Sequence, residues 1–262
     1  MVEDMYEAPE IPEIRLTTYC GSGASSEVWL GVDRTGIRRA VRIIRKCRCP
    51  MLLEMERRAI SLYREKAGSH SHLLPILYAD ETPEYLYSVT EPADNFCNSA
   101  YFYEPDTLAE RICFRTETVA SILSYLDAIL EGVERLHSLN MAHRDLKPEN
   151  ILFVRNTLKI ADPGLVAGSD SVPVGGTPGF RPSWNASGIE CDIYAIGKLI
   201  YMLFTRESPV RFPEIPAACR LNRFFALNEL ALHCCEREPH LRFQSVSEIR
   251  CALRGIQKTH HL

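Results

Sequence analysis

The hydrophobic pattern changes character near Glu91-Pro92-Ala93, and that change constrains the fold more than any other feature. Before it, apolar residues fall in short β-prone runs: Ile14 to Cys20, Glu27 to Asp33, Arg38 to Arg45, Leu74 to Tyr78 and Tyr85 to Thr90. Gly21-Ser22-Gly23 and Thr35-Gly36 separate the first three runs as turn signals. One helical stretch interrupts them, Met51 to Lys66, with Leu52, Met55, Ala59, Leu62 and Tyr63 on one stripe. A loop with little periodicity then runs to about Asp106, after which helical spacing dominates. Thr118 to Leu139 carries Val119, Ile122, Leu123, Leu126, Ile129, Leu130, Val133 and Leu136 as a continuous apolar face. Ile189 to Phe204 is apolar almost all round, which marks a helix buried in a large lobe, and Phe224 to Cys235 and Val246 to Ile256 read as closing helices. Two tiny strands, Ile151 to Val154 and Leu158 to Ala161, flank Arg155-Asn156-Thr157. The expected layout is α+β, with a small β-rich lobe over 13–91, a larger helical lobe over 92–257, an extension at 1–12 and a tail at 258–262.

Composition narrows the partners. A net charge of −4 over 262 residues gives no reason to expect nucleic acid or an anionic membrane as the main partner. The longest apolar stretch, Ile193 to Phe204, is too short to span a bilayer and contains Lys198, so no membrane insertion is expected. Met1 to Ile14 is acidic and Pro-bearing without a basic start, so the expectation is a cytoplasmic chain with no signal peptide. The ten cysteines include no C-x-x-C pair and read as scattered free thiols, several in apolar helical settings such as Cys191 and Cys251. Cys47 and Cys49, flanked by Arg and Lys, are candidates for a lowered thiol pKa.

The motif that carries chemistry is His143-Arg144-Asp145-Leu146-Lys147-Pro148-Glu149-Asn150, set between the long amphipathic helix and a small strand. Here the chain resembles the eukaryotic-type Ser/Thr protein kinases, in a form that looks more bacterial than animal, over about residues 13 to 255. The resemblance implies a bilobal protein-kinase fold, ATP and Mg²⁺ (or Mn²⁺) as cofactors, and a protein hydroxyl as acceptor. Asp145 would orient that hydroxyl and take its proton, and Lys147 would neutralise charge on the transferring phosphate. Asn150 would offer an uncharged oxygen to Mg²⁺, and Asp162, in Leu158-Lys159-Ile160-Ala161-Asp162-Pro163-Gly164, would be the second metal ligand.

The same resemblance assigns the nucleotide site. Gly21, Ser22, Gly23, Ala24, Ser25 and Ser26 form the phosphate-cradling hairpin, with Ser26 where the family has its third glycine. Val28 and Ala40 would roof an adenine and Leu152 would floor it, although plain core packing accounts for the same placement. Glu91 and Ala93 fall where the hinge presents backbone groups, and Thr90 is at the gatekeeper position. Glu56 is placed like the helix glutamate, with Glu54 as a rival. Thr177, in Gly176-Thr177-Pro178-Gly179-Phe180, falls within reach of Asp145 and Lys147, Asp192 resembles the aspartate that braces the loop, and Arg242 matches a late-domain arginine.

Four departures bear on activity. Arg42 stands where the family has a lysine, unless the strand register is shifted; its planar fork differs from a compact ammonium, and Lys46 is several positions away. Pro163 replaces an aromatic residue and biases Asp162 toward an extended backbone. Ser183 replaces the acid expected to pair with Arg242, which leaves Glu190 or Glu238 for that role. The stretch from Asp162 to Ser183 is short, and Ser169 and Ser171 within it are either phosphoacceptors for Arg144 or solvated loop serines. Two functions follow: a Ser/Thr protein kinase, or a pseudokinase that binds nucleotide or partners with little catalysis. Substrate identity and oligomeric state stay open.

Overall fold

The computed structural model describes residues 8–23, 26–46, 50–67, 70–97, 99, 101–115, 117–163, 166–168, 176–219 and 222–260. Ala24, Ser25, Cys47, Cys49, Gly164, Ser169 and Ser171 lie outside the described residues. Strands β1 (Ile14–Ser22), β2 (Ser26–Asp33) and β3 (Arg38–Arg45) precede helix α1 (Pro50–Lys66), and strands β4 (Ile76–Glu81) and β5 (Tyr85–Thr90) follow it. They form one antiparallel sheet in the order β1-β2-β3-β5-β4. The β2–β3 turn is held by Asp33, whose carboxylate accepts from the amides of Thr35 and Ile37 and from the Thr35 hydroxyl, while Gly36 supplies φ +83°.

Period-two alternation gives the sheet two faces. Trp29, Val41, Ile43, Tyr87 and Val89 gather on one face with Ile11 and Ile14. The register pairs Val28 with Arg42, Ala40 with Thr90 and Arg42 with Ser88, which puts these residues on the other face. There Ile44 and Leu86 pack against Leu53 and Ile60 of α1.

Two sequence readings need correction in this lobe. The buried face of α1 is Leu53, Glu56, Ala59, Ile60 and Tyr63, rotated from the expected stripe. The cause is a buried acid, which an apolar count scores as solvent-facing. The fourth strand starts at Ile76 rather than Leu74, because the Leu74 amide donates to the Ile160 carbonyl (2.8 Å) and Leu73 bridges Ile160, so this segment pairs with the helical lobe.

The second lobe is built on α2 (Leu108–Phe114), α3 (Val119–Ser138), α4 (Gly188–Thr205), α5 (Asn222–Cys235) and α6 (Val246–His260). A two-stranded pair of β6 (Met141–Ala142) with β9 (Ala167–Gly168), and a hairpin of β7 (Ile151–Val154) with β8 (Thr157–Ile160), lie between α3 and α4 in sequence. Leu126, Ile129, Leu130, Val133 and Leu136 of α3 meet Ile196, Leu199, Ile200 and Tyr201 of α4 in one core. A Cβ on Gly197 would lie 2.6 Å from Cys235 Sγ, so only glycine lets α4 and α5 approach this closely. The periodicity did not reveal α2, which at seven residues is too short to show a face; its signal was the Thr107 side chain capping the Glu110 amide.

The described cysteines are all free. Cys191 is buried and its thiol is pushed up to about 11 by burial, with the charge of Asp192 adding to the rise. Cys251 is exposed, against expectation, because α6 turns Val246, Ile249 and Leu253 inward and residue 251 falls on the opposite side. No helix among the described residues is long and apolar enough to cross a membrane.

Candidate active site

The loop from His143 to Asn150 is suspended from α4. Asp192, with no solvent exposure, accepts hydrogen bonds from the amides of His143 (2.8 Å) and Arg144 (2.7 Å) and lies 2.9 Å from His137 Nε2. This grip holds Arg144 at φ 70°, a conformation most residues avoid. His143 Nε2 meets the Ala161 carbonyl at 2.9 Å and so ties the loop to the segment entering Asp162.

Within that frame four predicted residues converge. Asp145 Oδ1 accepts from the Thr177 hydroxyl (2.7 Å) and amide (3.1 Å), while Lys147 Nζ sits 3.1 Å from Asp145 Oδ2 and donates to the Thr177 hydroxyl at 3.0 Å. Asn150 donates its side-chain amide to the Asp145 carbonyl (2.9 Å) and to Oδ2 (3.2 Å). Burial alone would raise the Asp145 pKa, but the Thr177 hydroxyl and the Lys147 charge more than offset it and hold the carboxyl below its ordinary value. The group is therefore ionised at neutral pH.

Arg42 organises the facing side. Its two terminal nitrogens donate to both oxygens of Glu56, at 3.0 and 2.9 Å, and Glu56 is only 2% exposed. That pairing decides between the acids of α1, since Glu54 faces solvent with Arg57 and Arg58. The β3 register also excludes a shifted strand, and Lys46 is engaged with Glu81 at 2.6 Å. Arg42 Nε lies 3.0 Å from Asp162 Oδ1, an ion contact whose N–H direction does not make an aligned hydrogen bond. Burial would lower the Arg42 pKa, but the charges of Asp162, Glu56 and Asp145 raise it.

Asp162 has φ 57°, so the extended backbone expected before Pro163 is not adopted. The preceding residue is pinned on both sides, its amide to Asn150 and its carbonyl to His143, and Arg42 holds the carboxylate. These constraints outweigh the local proline preference.

The model of the protein kinase domain matches residues 15–245. The chain belongs to the protein kinase family. It is 26% identical to the serine/threonine-protein kinase Pkn1 of Myxococcus xanthus, over 94% of this chain and 38% of that protein. It is 30% identical to the mouse phosphorylase b kinase gamma catalytic chain, liver/testis isoform, over 72% of this chain and 50% of that one. A third relative, the serine/threonine-protein kinase PknG of Mycobacterium leprae, is 33% identical over 53% of this chain and 19% of its own length. The chain thus spans half or less of each of these relatives.

The residues expected around a nucleotide lie mostly on the strands of the small lobe's sheet. Gly21 has φ +147°, and the Gly23 amide donates to the Ser26 carbonyl at 2.8 Å to close the hairpin. Val28, Ala40 and Thr90 share the face that carries Arg42, whereas Leu152 of β7 packs with Leu74, Val154 and Ala161. The hinge carbonyls are already in use: Glu91 O accepts from the Thr90 hydroxyl (3.1 Å) and Ala93 O from the Tyr103 hydroxyl (3.0 Å). Tyr103 was not anticipated, because it lies in an aperiodic loop with no motif around it. Asp94, also missed, accepts from the Arg155 and Asn156 amides and fixes the β7–β8 turn.

The acid that replaces the family's partner for Arg242 is Glu190, not Glu238. Glu190 stands at the third position of α4, where one oxygen accepts from the Ser187 amide in a capping box and the other meets Arg242. Arg242, 1% exposed at its side chain, also donates to the Glu236 and Arg237 carbonyls.

The residues fit a divalent cation shared with a nucleotide. Asn150 spends its amide nitrogen on Asp145, which leaves its carbonyl oxygen as the atom suited to a metal, and Asp162 contributes a carboxylate. Among the described residues no three His, Cys, Asp or Glu side chains converge as a closed metal cage. Remaining ligands would come from phosphate oxygens and water, as is usual for Mg²⁺.

Proposed function

We propose that this chain is an ATP-dependent Ser/Thr protein kinase that transfers the γ-phosphate of ATP to a protein hydroxyl, and that it acts in the cytoplasm. The observation that carries this reading is the Asp145 constellation: an ionised carboxylate with Thr177, Lys147 and Asn150 in hydrogen-bond reach, on a loop braced by Asp192. Asp145 accepts the proton of the substrate hydroxyl as its oxygen bonds to the γ-phosphorus and the bridging oxygen leaves with ADP. Lys147 neutralises charge on the phosphoryl oxygens, and Thr177 positions the Asp145 carboxylate. Asn150 and Asp162 would hold Mg²⁺ or Mn²⁺, which would supply charge screening to the phosphates. Gly21 to Ser26 cradle the phosphates, Arg42 stands in for the phosphate lysine with Glu56 behind it, and Val28, Ala40, Thr90, Glu91, Ala93 and Leu152 surround the base.

The contact of Arg42 with Asp162 favours a second reading, a pseudokinase that binds nucleotide or a partner without efficient transfer. A time course with γ-labelled ATP, Mg²⁺ or Mn²⁺ and a basic protein substrate separates the two. Transfer by the wild type that falls about 10²–10⁴-fold in Asp145→Asn establishes the kinase. Tight nucleotide binding by the wild type with no transfer, and transfer restored by Arg42→Lys, establishes the pseudokinase.

A further inference from the structure

We infer that Arg42 sets the divalent-cation requirement of the nucleotide site by competing with the metal for Asp162. The inference rests on the nucleotide-binding reading above and adds to it a residue that determines how readily the cation is held.

The two arms of Arg42 differ in kind. Toward Glu56 the guanidinium makes two aligned hydrogen bonds to a carboxylate that is nearly sealed from solvent. Toward Asp162 it offers only Nε, at 3.0 Å and without hydrogen-bond alignment, and the Asp162 side chain is 32% exposed. The Glu56 arm is the anchor and the Asp162 arm is the releasable one. Mg²⁺ bonds a carboxylate oxygen at about 2.0–2.1 Å. Reaching Asp162 Oδ1 that closely would put two positive charges against the guanidinium already beside it. A metal at Oδ1 requires Nε to withdraw, and one at Oδ2 still meets the repulsion of the guanidinium charge, so the energy of that contact is subtracted from the metal's affinity.

Arginine does this where lysine would not, for a reason of atom order. Along an arginine side chain the fourth atom from Cα is Nε, a charged donor; in lysine the same place is a methylene, and the ammonium lies one atom further on. At residue 42 that fourth atom faces Asp162 while the terminal nitrogens face Glu56. Arg42→Lys keeps a cation for Glu56 and puts a methylene where Nε meets Asp162. The charge that competes with the metal is moved one bond further from Asp162 without unpairing the buried glutamate.

The test measures Mn²⁺ binding by electron paramagnetic resonance at saturating ATP, with ATP affinity measured separately by calorimetry. Wild type, Arg42→Lys, Asp162→Asn and the double variant are compared, and melting curves verify that each is folded. Arg42→Lys should bind Mn²⁺ about tenfold more tightly than wild type, equivalent to ~1.4 kcal/mol. That gain should vanish in the Asp162→Asn background, because the competition runs through that carboxylate. Equal Mn²⁺ affinities of wild type and Arg42→Lys overturn the inference, as does a gain that persists without Asp162. In both cases ATP binding is intact and the nucleotide reading stands. Absence of ATP binding in every folded variant sinks the nucleotide reading itself, and this inference with it.

Discussion

Asp145 and Asp162, the two carboxylates nearest the proposed chemistry, sit in opposite kinds of environment. Asp145 takes its hydrogen bonds from its own lobe, with the Arg42 charge acting on it only at longer range: Thr177, Lys147 and Asn150 surround its side chain, and Asp192 grips the backbone just before it. Asp162 follows a pinned residue, but its carboxylate meets a cation from the other lobe, and a proline comes next. The first carboxylate inherits the rigidity of the α3–α4 core. The second depends on how the two lobes meet. The departures at residues 42 and 163 fall at the second carboxylate, whereas the surroundings of the first are complete.

The comparison breaks most visibly at Asp192. Replacing it with alanine leaves the buried His143 amide and the half-buried Arg144 amide without their acceptor, at up to ~1–3 kcal/mol each. Denaturant unfolding of Asp192→Ala should therefore show a loss of roughly 2–6 kcal/mol, with phosphate transfer lost as well. A fully stable Asp192→Ala would mean that the loop is held by something other than α4.

The second effect concerns the same lobe at a distance from the chemistry. Glu190→Gln removes the charged partner of the buried Arg242 but leaves the Glu236 and Arg237 carbonyls in place. Stability should fall by about 1.5–3 kcal/mol, the worth of a hydrogen bond to a charged group. If Glu238→Gln were the costlier substitution, the assignment of Glu190 as the replacement acid would be wrong.

Thr177→Val probes the Asp145 side more gently. The hydroxyl is the main influence holding the Asp145 pKa down, so its loss should let that pKa rise toward the ordinary carboxylate value. A depressed folded-state pKa contributes stability that is present above the unfolded pKa and is lost as pH falls through the folded one. Relative to wild type, Thr177→Val should lose ~0.5–1.5 kcal/mol at neutral pH, and the gap should close in acid. A gap that stays constant with pH would assign Thr177 a packing role only.

How much of this was legible depended on what kind of force placed each residue. Strands β1 to β3 and β5, and helices α1 and α3 to α6, were visible because burial imposes period two or 3.6 on the chain. The Asp145, Lys147, Asn150 and Thr177 cluster was legible as a motif. What escaped was set by tertiary pairing: the start of β4, displaced by the Leu74–Ile160 hydrogen bond, and the hydroxyl of Tyr103 on the hinge. Buried charge misled as well. Glu56 turned α1 away from its apolar stripe, and the left-handed Asp162 overrode the preference that Pro163 imposes. The choice between Glu190 and Glu238 needed the Ser187 capping box to be seen as part of the same carboxylate's environment.

The smallest effect sharpens the same lesson within one helix. Glu54 and Glu56 are two residues apart on α1, yet one is solvent-facing and the other is buried against Arg42. Glu54→Ala removes exposed pairs with Arg57 and Arg58, and such pairs contribute about 0.2–1 kcal/mol. Its melting profile and its nucleotide affinity should stay close to wild type. Glu56→Ala, by contrast, leaves the Arg42 guanidinium with Asp162 as its nearest carboxylate contact, so Arg42 should lean further onto the metal-side acid and weaken cation binding. Equal Mn²⁺ affinities for the two alanine variants would show that Glu56 does not hold Arg42 away from Asp162, and would remove the distinction between the anchored arm and the releasable one.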